Sequence, residues 1–349
     1  MKIMKNQLIS NQMQEKHHKY NEYSRLDYFI KVMQKTCQYL KGVKLVPKEP
    51  GHAYAIAPIF KYGNDDMSLS YRYYPKRVID TTLVGIDSSI HPIAESKNGY
   101  VFALQGAIIL HSIKGNKIFR FGPILSYISK DTMHIINDIP NCHILYSKQY
   151  SLNPTIIKKF LIDLFEYTLL HEAISLSQKR SIITVDGTLT RFIKYTYIFG
   201  DSLFKRIVER GIYITGISKK SRLFKLFPHI TTEVIKSELP IVIRIQDSIF
   251  RRLQLHNIHI YLGKFSKCGI PLRIDILYTN NSYTCVFDNL YTIAYAATGY
   301  PNVLRDAHIT AKISKAELIG LRLYLERLGA QILPSFRIRD ILFGVYNKK

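Results

Sequence analysis

Two short apolar runs in the chain finish on an aspartate followed by a small residue: LVGIDSS, carrying Asp87, and IITVDGT, carrying Asp186. The β-branched residues ahead of each aspartate predict a strand. Each carboxylate is therefore expected at the tip of its strand, on the C-terminal edge of a sheet. Carboxylate oxygens are the ligands that Mg²⁺ and Mn²⁺ take. A pair of such ions can clamp the attacking and leaving oxygens of a phosphodiester displacement. The alternative for either motif is an Asx turn that opens a loop; the matching context of the two, in a very basic chain, favours a metal.

Other side chains are candidates to complete such a site. A helix predicted over residues 154–178 carries Glu166 and Glu172, six apart and so on different faces. Glu172 is the closer in sequence to Asp186; a solvated helix surface is the alternative for both. In ATGYPNVLRDAHITAKIS, Tyr300 and His308 are eight apart, about two turns if the interval is helical. They can then line one face and bind a ligand, orient water or hold a phosphate. Lys219, Lys220 and Arg222 follow the strand IYITGIS as unspecific phosphate contacts. Arg251, Arg252 and the tyrosines near 71–74 are similar, since basic residues interleaved with aromatics track a single strand by charge and stacking.

The composition points to a polyanionic partner. The 349 residues include 49 Lys+Arg against 26 Asp+Glu, a formal charge of +23. Such an excess is the footprint of phosphate binding, so nucleic acid is the leading partner and an anionic membrane surface the second. With 47% hydrophobic residues the chain has ample core material, which excludes global disorder. Cys37, Cys142, Cys268 and Cys285 are far apart, with no CxxC pair, so zinc and a disulfide framework are not expected and buried thiols are. No apolar run reaches the roughly 18 residues of a membrane span, and the polar N-terminus is no signal peptide. The expectation is a cytoplasmic, soluble protein with no membrane partner.

The elements that must position these groups follow from pattern. Residues 1–45 carry helical spacing around Leu26–Leu40, broken by Pro47, Pro50 and Gly51. Residues 81–150 read as an antiparallel meander that begins at the first aspartate. A long amphipathic helix at 154–178 follows, with Pro154 in its first turn. Next come the strand SIITVDGT and a helix at 201–211 with an Asp cap and a Gly stop, then the strand IYITGIS. Residues 240–290 read as β throughout (LPIVIRIQ, NIHIYLGKF, PLRIDILY and SYTCVFD), and one last helix is expected from about 302 to 329. Meander, helix, strand, helix, strand is the α/β (α+β) order of a ribonuclease H-like mixed sheet with flanking helices. The domains expected are an N-terminal helical or irregular extension over 1–80, a ribonuclease H-like domain over 81–330 with a β-rich insertion around 240–290, and a closing segment over 331–349.

The ordered series GIDSS, a long Glu-bearing helix, VDGTLT, ISKKSR, PLRIDIL and GYPNVLRDAHITAKIS resembles the NurA family over roughly residues 80–325. These are nucleases of archaea and some bacteria with a ribonuclease H-like core. The resemblance implies manganese-dependent 5′→3′ exonuclease activity, with magnesium as the other usable ion, and endonuclease activity on single strands. It implies a homodimer that acts in DNA end resection and repair with HerA, a hexameric DNA-translocating ATPase. Single-stranded DNA and duplex ends are the implied substrates. Residue by residue, it places the family's two aspartates at Asp87 and Asp186, its GYP tyrosine at Tyr300 and its later Asp/His position at His308. The helix glutamate falls on Glu172, with Glu166 as the fallback. Asp87, Glu172, Asp186 and His308 are then the metal ligands. The chain departs from the usual DGS at Ser88, and its first 80 residues match nothing in the family. Two other readings stand beside this one: a non-catalytic DNA-binding subunit of the same fold, and a ribonuclease H-like enzyme acting on RNA. The candidate contacts for a second copy and for the ATPase are the Leu26–Leu40 segment and the strands of 240–290.

Overall fold

The computed structural model describes residues 25–48, 72–77, 81–136, 154–192, 202–245, 258–277 and 283–332. Tyr71, Cys142, Asp201, Arg251 and Arg252, named from sequence, lie outside the described residues. The chain starts with helix α1 (Arg25–Thr36), strands β1 (Lys44–Pro47) and β2 (Arg72–Tyr73), and the long strands β3 (Leu83–Ser96), β4 (Gly99–Ser112) and β5 (Gly115–Ser129). It continues through helices α2 (Met133–Ile136) and α3 (Pro154–Leu176), strand β6 (Ile182–Asp186), helix α4 (Ser202–Arg210) and strand β7 (Tyr213–Ser218). Helices α5 (Leu223–Leu226) and α6 (Pro228–Lys236) precede strands β8 (Ile241–Arg244), β9 (Ile258–Lys264) and β10 (Leu272–Leu277). Helices α7 (Thr284–Thr292), α8 (Asn302–Ala311) and α9 (Lys315–Arg327) lead into the short strand β11 (Gln331–Ile332).

One mixed sheet of eleven strands joins these elements. β3, β4 and β5 form the expected antiparallel meander. β6 then pairs parallel to β3, and β7 parallel to β6. Helices make both crossovers, as parallel neighbours require. The order β5-β4-β3-β6-β7 is the ribonuclease H-like plan. Beyond β7 the sheet continues antiparallel through β10, β9, β8 and β2.

Burial explains where the structure departs from the sequence pattern. Helix α3 is not amphipathic. Nearly every side chain from Leu161 to Ile174 is buried, because the sheet covers one side and α1 the other. Phe29 of α1 stacks on Phe165 with ring centroids 5.2 Å apart. The apolar stripe of α1 (Leu26, Phe29, Val32, Met33) is thus consumed in the principal core. Strands β8–β10 each have two hydrogen-bonded neighbours in the sheet. SYTCVFD is no strand: it enters α7, whose Val286, Phe287 and Leu290 face a second core cluster at helical spacing. A short apolar run does not distinguish the two periods. The last helix is two helices, broken after Lys312, where Ser314 and Glu317 form a capping box for α9.

Among the described cysteines, Cys37 is buried as expected, its thiol pushed up to about 11 by burial. Cys268 is exposed and Cys285 half-buried. No helix among the described residues is long and apolar enough to cross a membrane.

Candidate metal centre

Asp87 lies in the interior of β3 and not at its tip. β3 outruns its parallel neighbour. The register pairs Ile86 with Val185, and β6 ends at Asp186. Asp87 therefore stands where β3 loses that partner, beside Asp186 at a true strand end. Residues aligned across parallel strands share a face, so the two carboxylates project together, on the side that also carries Gly85.

Gly85 brings the third donor. A Cβ at this position would collide with the Val303 carbonyl oxygen, so the first turn of α8 lies directly on the strand. Val303 and Ala307 are buried at that seam with Ile109. The far end of α8 is fastened too. Gln105 Nε2 of β4 donates to the carbonyls of Thr310 (3.0 Å) and Lys312 (3.2 Å), and the Ser89 hydroxyl donates to that of Ala311. These bonds satisfy carbonyls that a helix terminus leaves free. Held in this way, α8 sets His308 Nδ1 2.7 Å from Asp87 Oδ2. Donor atoms of Asp87, Asp186 and His308 all lie within 4.8 Å of one another.

Tyr300 precedes α8 and is not helical; Gly299, at φ +70°, turns the chain under the site. The phenol is buried, and Lys219 Nζ sits 4.2 Å over its ring while lying 3.2 Å from Asp186 Oδ2. Lys219 thus belongs to the site itself. Lys220 and Arg222 stay exposed on the turn after β7.

Of the two helix glutamates, Glu166 comes up behind Asp87 and Glu172 does not join. α3 crosses the opposite face of the sheet, where alternation points Ser88. The Ser88 hydroxyl donates to Glu166 Oε1 at 2.7 Å, and Arg191 forms an ion pair with Glu166 Oε2. Ser88 therefore has a partner of its own. Burial, then the charge of Asp27, raises the pKa of the half-buried Glu172, against Arg206.

Sequence reasoning did not single out the groups behind this arrangement. Arg191, in the turn after β6, also donates to the Asp186 carbonyl at 2.7 Å. That turn is anchored by Asp275 of β10, whose Oδ2 accepts from Leu189 N at 3.0 Å. Arg273 clasps the same carboxylate through Nε (2.6 Å) and Nη2 (3.0 Å). Gly216 of β7 makes room, since a Cβ there would fall 2.6 Å from the Gly187 carbonyl oxygen. The motif PLRIDIL held the signal: Arg273 and Asp275 are two apart on a strand and share a face.

The electrostatics suit a cation. Burial, then the neighbouring charge of Asp186, raises the pKa of Asp87, against hydrogen bonds from His308 and the Ser88 N–H. Burial pushes the Glu166 carboxyl up to about 8 despite Arg191, with the charge of Asp87 adding to the rise. Burial and then the charges of Asp186 and Asp87 raise the pKa of Tyr300, so the phenol keeps its proton. Two crowded carboxylates and an imidazole are a donor set that fits a divalent ion with oxygen and nitrogen affinity. His308 Nδ1 pairs with Asp87 Oδ2 at 2.7 Å, and an imidazole nitrogen is a ligand atom for such an ion.

No protein-family model and no curated protein sequence matches the chain. Among solved structures, the fold is similar to the NurA nuclease from Sulfolobus solfataricus, at 16% identity over 74% of this chain and 88% of that one, with a TM-score of 0.49. It is similar to a NurA structure with manganese at 10% identity, covering 73% and 90% of the two chains, with a TM-score of 0.47. A further NurA structure matches at 11% identity over 74% and 90%, also at 0.47. At such identities and scores the likeness carries no argument about chemistry, which rests on the side chains of this chain.

Proposed function

We propose that the protein is a divalent-metal-dependent nuclease that hydrolyses the phosphodiester bonds of DNA. The observation that carries this reading is the convergence of Asp87, Asp186 and His308, with donor atoms within 4.8 Å, at the place where the parallel pairing of β3 ends. Asp87, Asp186 and His308 would hold the ion. Manganese is the proposed cation, as the sequence resemblance implies, with magnesium as the other usable ion; both take carboxylate ligands. Bound there, the ion supplies Lewis acidity toward the phosphoryl group and acidifies water. The protein's own groups do the rest. His308 and Asp87 orient each other, Tyr300 offers a phenolic proton to an anionic oxygen, and Lys219 adds positive charge beside Asp186. The formal charge of +23 draws the polyanion to the site.

The finer features come from the sequence resemblance and belong to the same proposal. They are 5′→3′ digestion, cleavage within single strands, a homodimer, and delivery of DNA by a HerA-type ATPase in end resection. A complete donor set favours catalysis over a non-catalytic binding subunit. The test is cleavage of end-labelled DNA and RNA by the purified chain with Mn²⁺, with Mg²⁺ and with chelator, beside Asp186→Asn. Expected is DNA cleavage that needs the divalent ion and is lost in the variant. Cleavage of RNA alone, or chelator-resistant cleavage, would overturn it.

A further inference from the structure

Lys219 follows the end of β7 (Tyr213–Ser218), which runs parallel to β6 with Ile217 opposite Asp186. Its ammonium is held from two sides, 3.2 Å from Asp186 Oδ2 and 4.2 Å above the Tyr300 ring. A cation over an aromatic face beside a carboxylate is fixed in place by both. Asp186 is shared, as a member of the donor trio and as the partner of the ammonium.

In two-metal phosphodiester chemistry, the pair of ions sits about 3.5–4 Å apart and clamps both reacting oxygens. A second dication beside Asp186 would meet the Lys219 charge at close range. We infer that the Lys219 ammonium takes the place of the second cation, so that the centre binds a single divalent ion. Lysine supplies the other positive charge facing the phosphate. Two carboxylates, one dication and one ammonium leave a single net positive charge, which matches the single negative charge of a phosphodiester.

This inference rests on the metal-centre reading above, and the experiment separates the two. Mn²⁺ binding to the metal-free full chain is counted by titration calorimetry and by the electron paramagnetic resonance signal of free Mn²⁺. Expected is one ion per chain up to millimolar Mn²⁺. Lys219→Met keeps an unbranched side chain against Tyr300 but removes the charge, and it is expected to bind two. Two ions in the unaltered protein would overturn the inference and leave the metal centre standing, as would a single ion in Lys219→Met. No bound ion in the unaltered protein would remove the metal centre and this inference together.

Discussion

His308 Nδ1 lies 2.7 Å from Asp87 Oδ2, a contact between residues 221 positions apart that fastens helix α8 to the first long strand of the sheet. If both hold the ion, removing either costs more than the roughly 10–100-fold in affinity that an outer partner costs. Asp87→Asn and His308→Ala should therefore weaken Mn²⁺ binding by more than about 100-fold. The metal-free proteins should diverge in stability. Burial and Asp186 raise the Asp87 pKa, so its charged form costs folding energy at neutral pH. Asp87→Asn should melt above the unaltered protein in chelator and gain little from Mn²⁺; equal Mn²⁺ stabilisation of both would contradict the assignment.

Glu166 sets a pH dependence. Its carboxyl is raised from 4.5 to about 8, so between those values the folded state holds a proton that the unfolded state has released. Metal-free stability is then full below pH 4.5 and falls as pH rises through 8, by up to about 1.4 kcal/mol per pH unit. Glu166→Gln should flatten that slope in melting curves taken from pH 5 to 9. Glu172→Ala, away from the site, should leave both the slope and DNA cleavage unchanged. A Glu172 variant that loses cleavage would restore Glu172 as the helix ligand.

Two glycine substitutions should move stability in opposite directions. Gly85→Ala forces α8 off the strand and should cost about 1–3 kcal/mol, as overpacking does. It should also weaken Mn²⁺ binding by displacing His308. Gly320→Ala, in the exposed helix α9 with nothing within 4 Å, should add about 0.5–1 kcal/mol. Denaturant unfolding measures both. A neutral Gly85→Ala would mean that α8 is not held by that approach.

The buried Arg273–Asp275 pair should behave asymmetrically. Asp275→Ala leaves the Arg273 guanidinium largely buried with its main counter-charge gone, at a cost of about 3–5 kcal/mol. It also frees the turn that carries Arg191. Replacing both with apolar residues, Arg273→Met with Asp275→Leu, should recover much of the loss in unfolding experiments. A double variant as unstable as the single one would place the cost in the lost Leu189 bond instead.

DNA affinity should fall linearly with salt on logarithmic axes, with little dependence on base sequence. Substituting Lys219, Lys220 and Arg222 together should reduce the slope by about 2–3 if all three contact phosphate. Fluorescence anisotropy over a salt series reads this directly, and an unchanged slope would remove these residues from the interface.

The sequence exposed what local pattern governs. Asp87 and Asp186 were legible because β-branched runs and small followers mark strand-borne carboxylates. The crossover order then gave the central strand arrangement. Glu166 was passed over for Glu172 because nearness along the chain to Asp186 says nothing about how α3 crosses the sheet. Only the crossing brings Glu166 over Ser88. α7 was misread because Val286, Phe287 and Leu290 satisfy either period over so short a run. The support given by Arg191, Arg273 and Asp275 was hidden because each meets its partners through strand neighbours distant in sequence or through a turn whose path no local signal fixes.

The placement of His308 also bears on how the protein is made. Asp87 and its meander leave the ribosome early, and Asp186 follows after the first crossover. The donor trio still lacks its third member until α8 has been synthesised and has room to dock at Gly85. On the metal-centre reading, a chain ending before residue 302 holds two of the three donors and lacks the helix that seats the third.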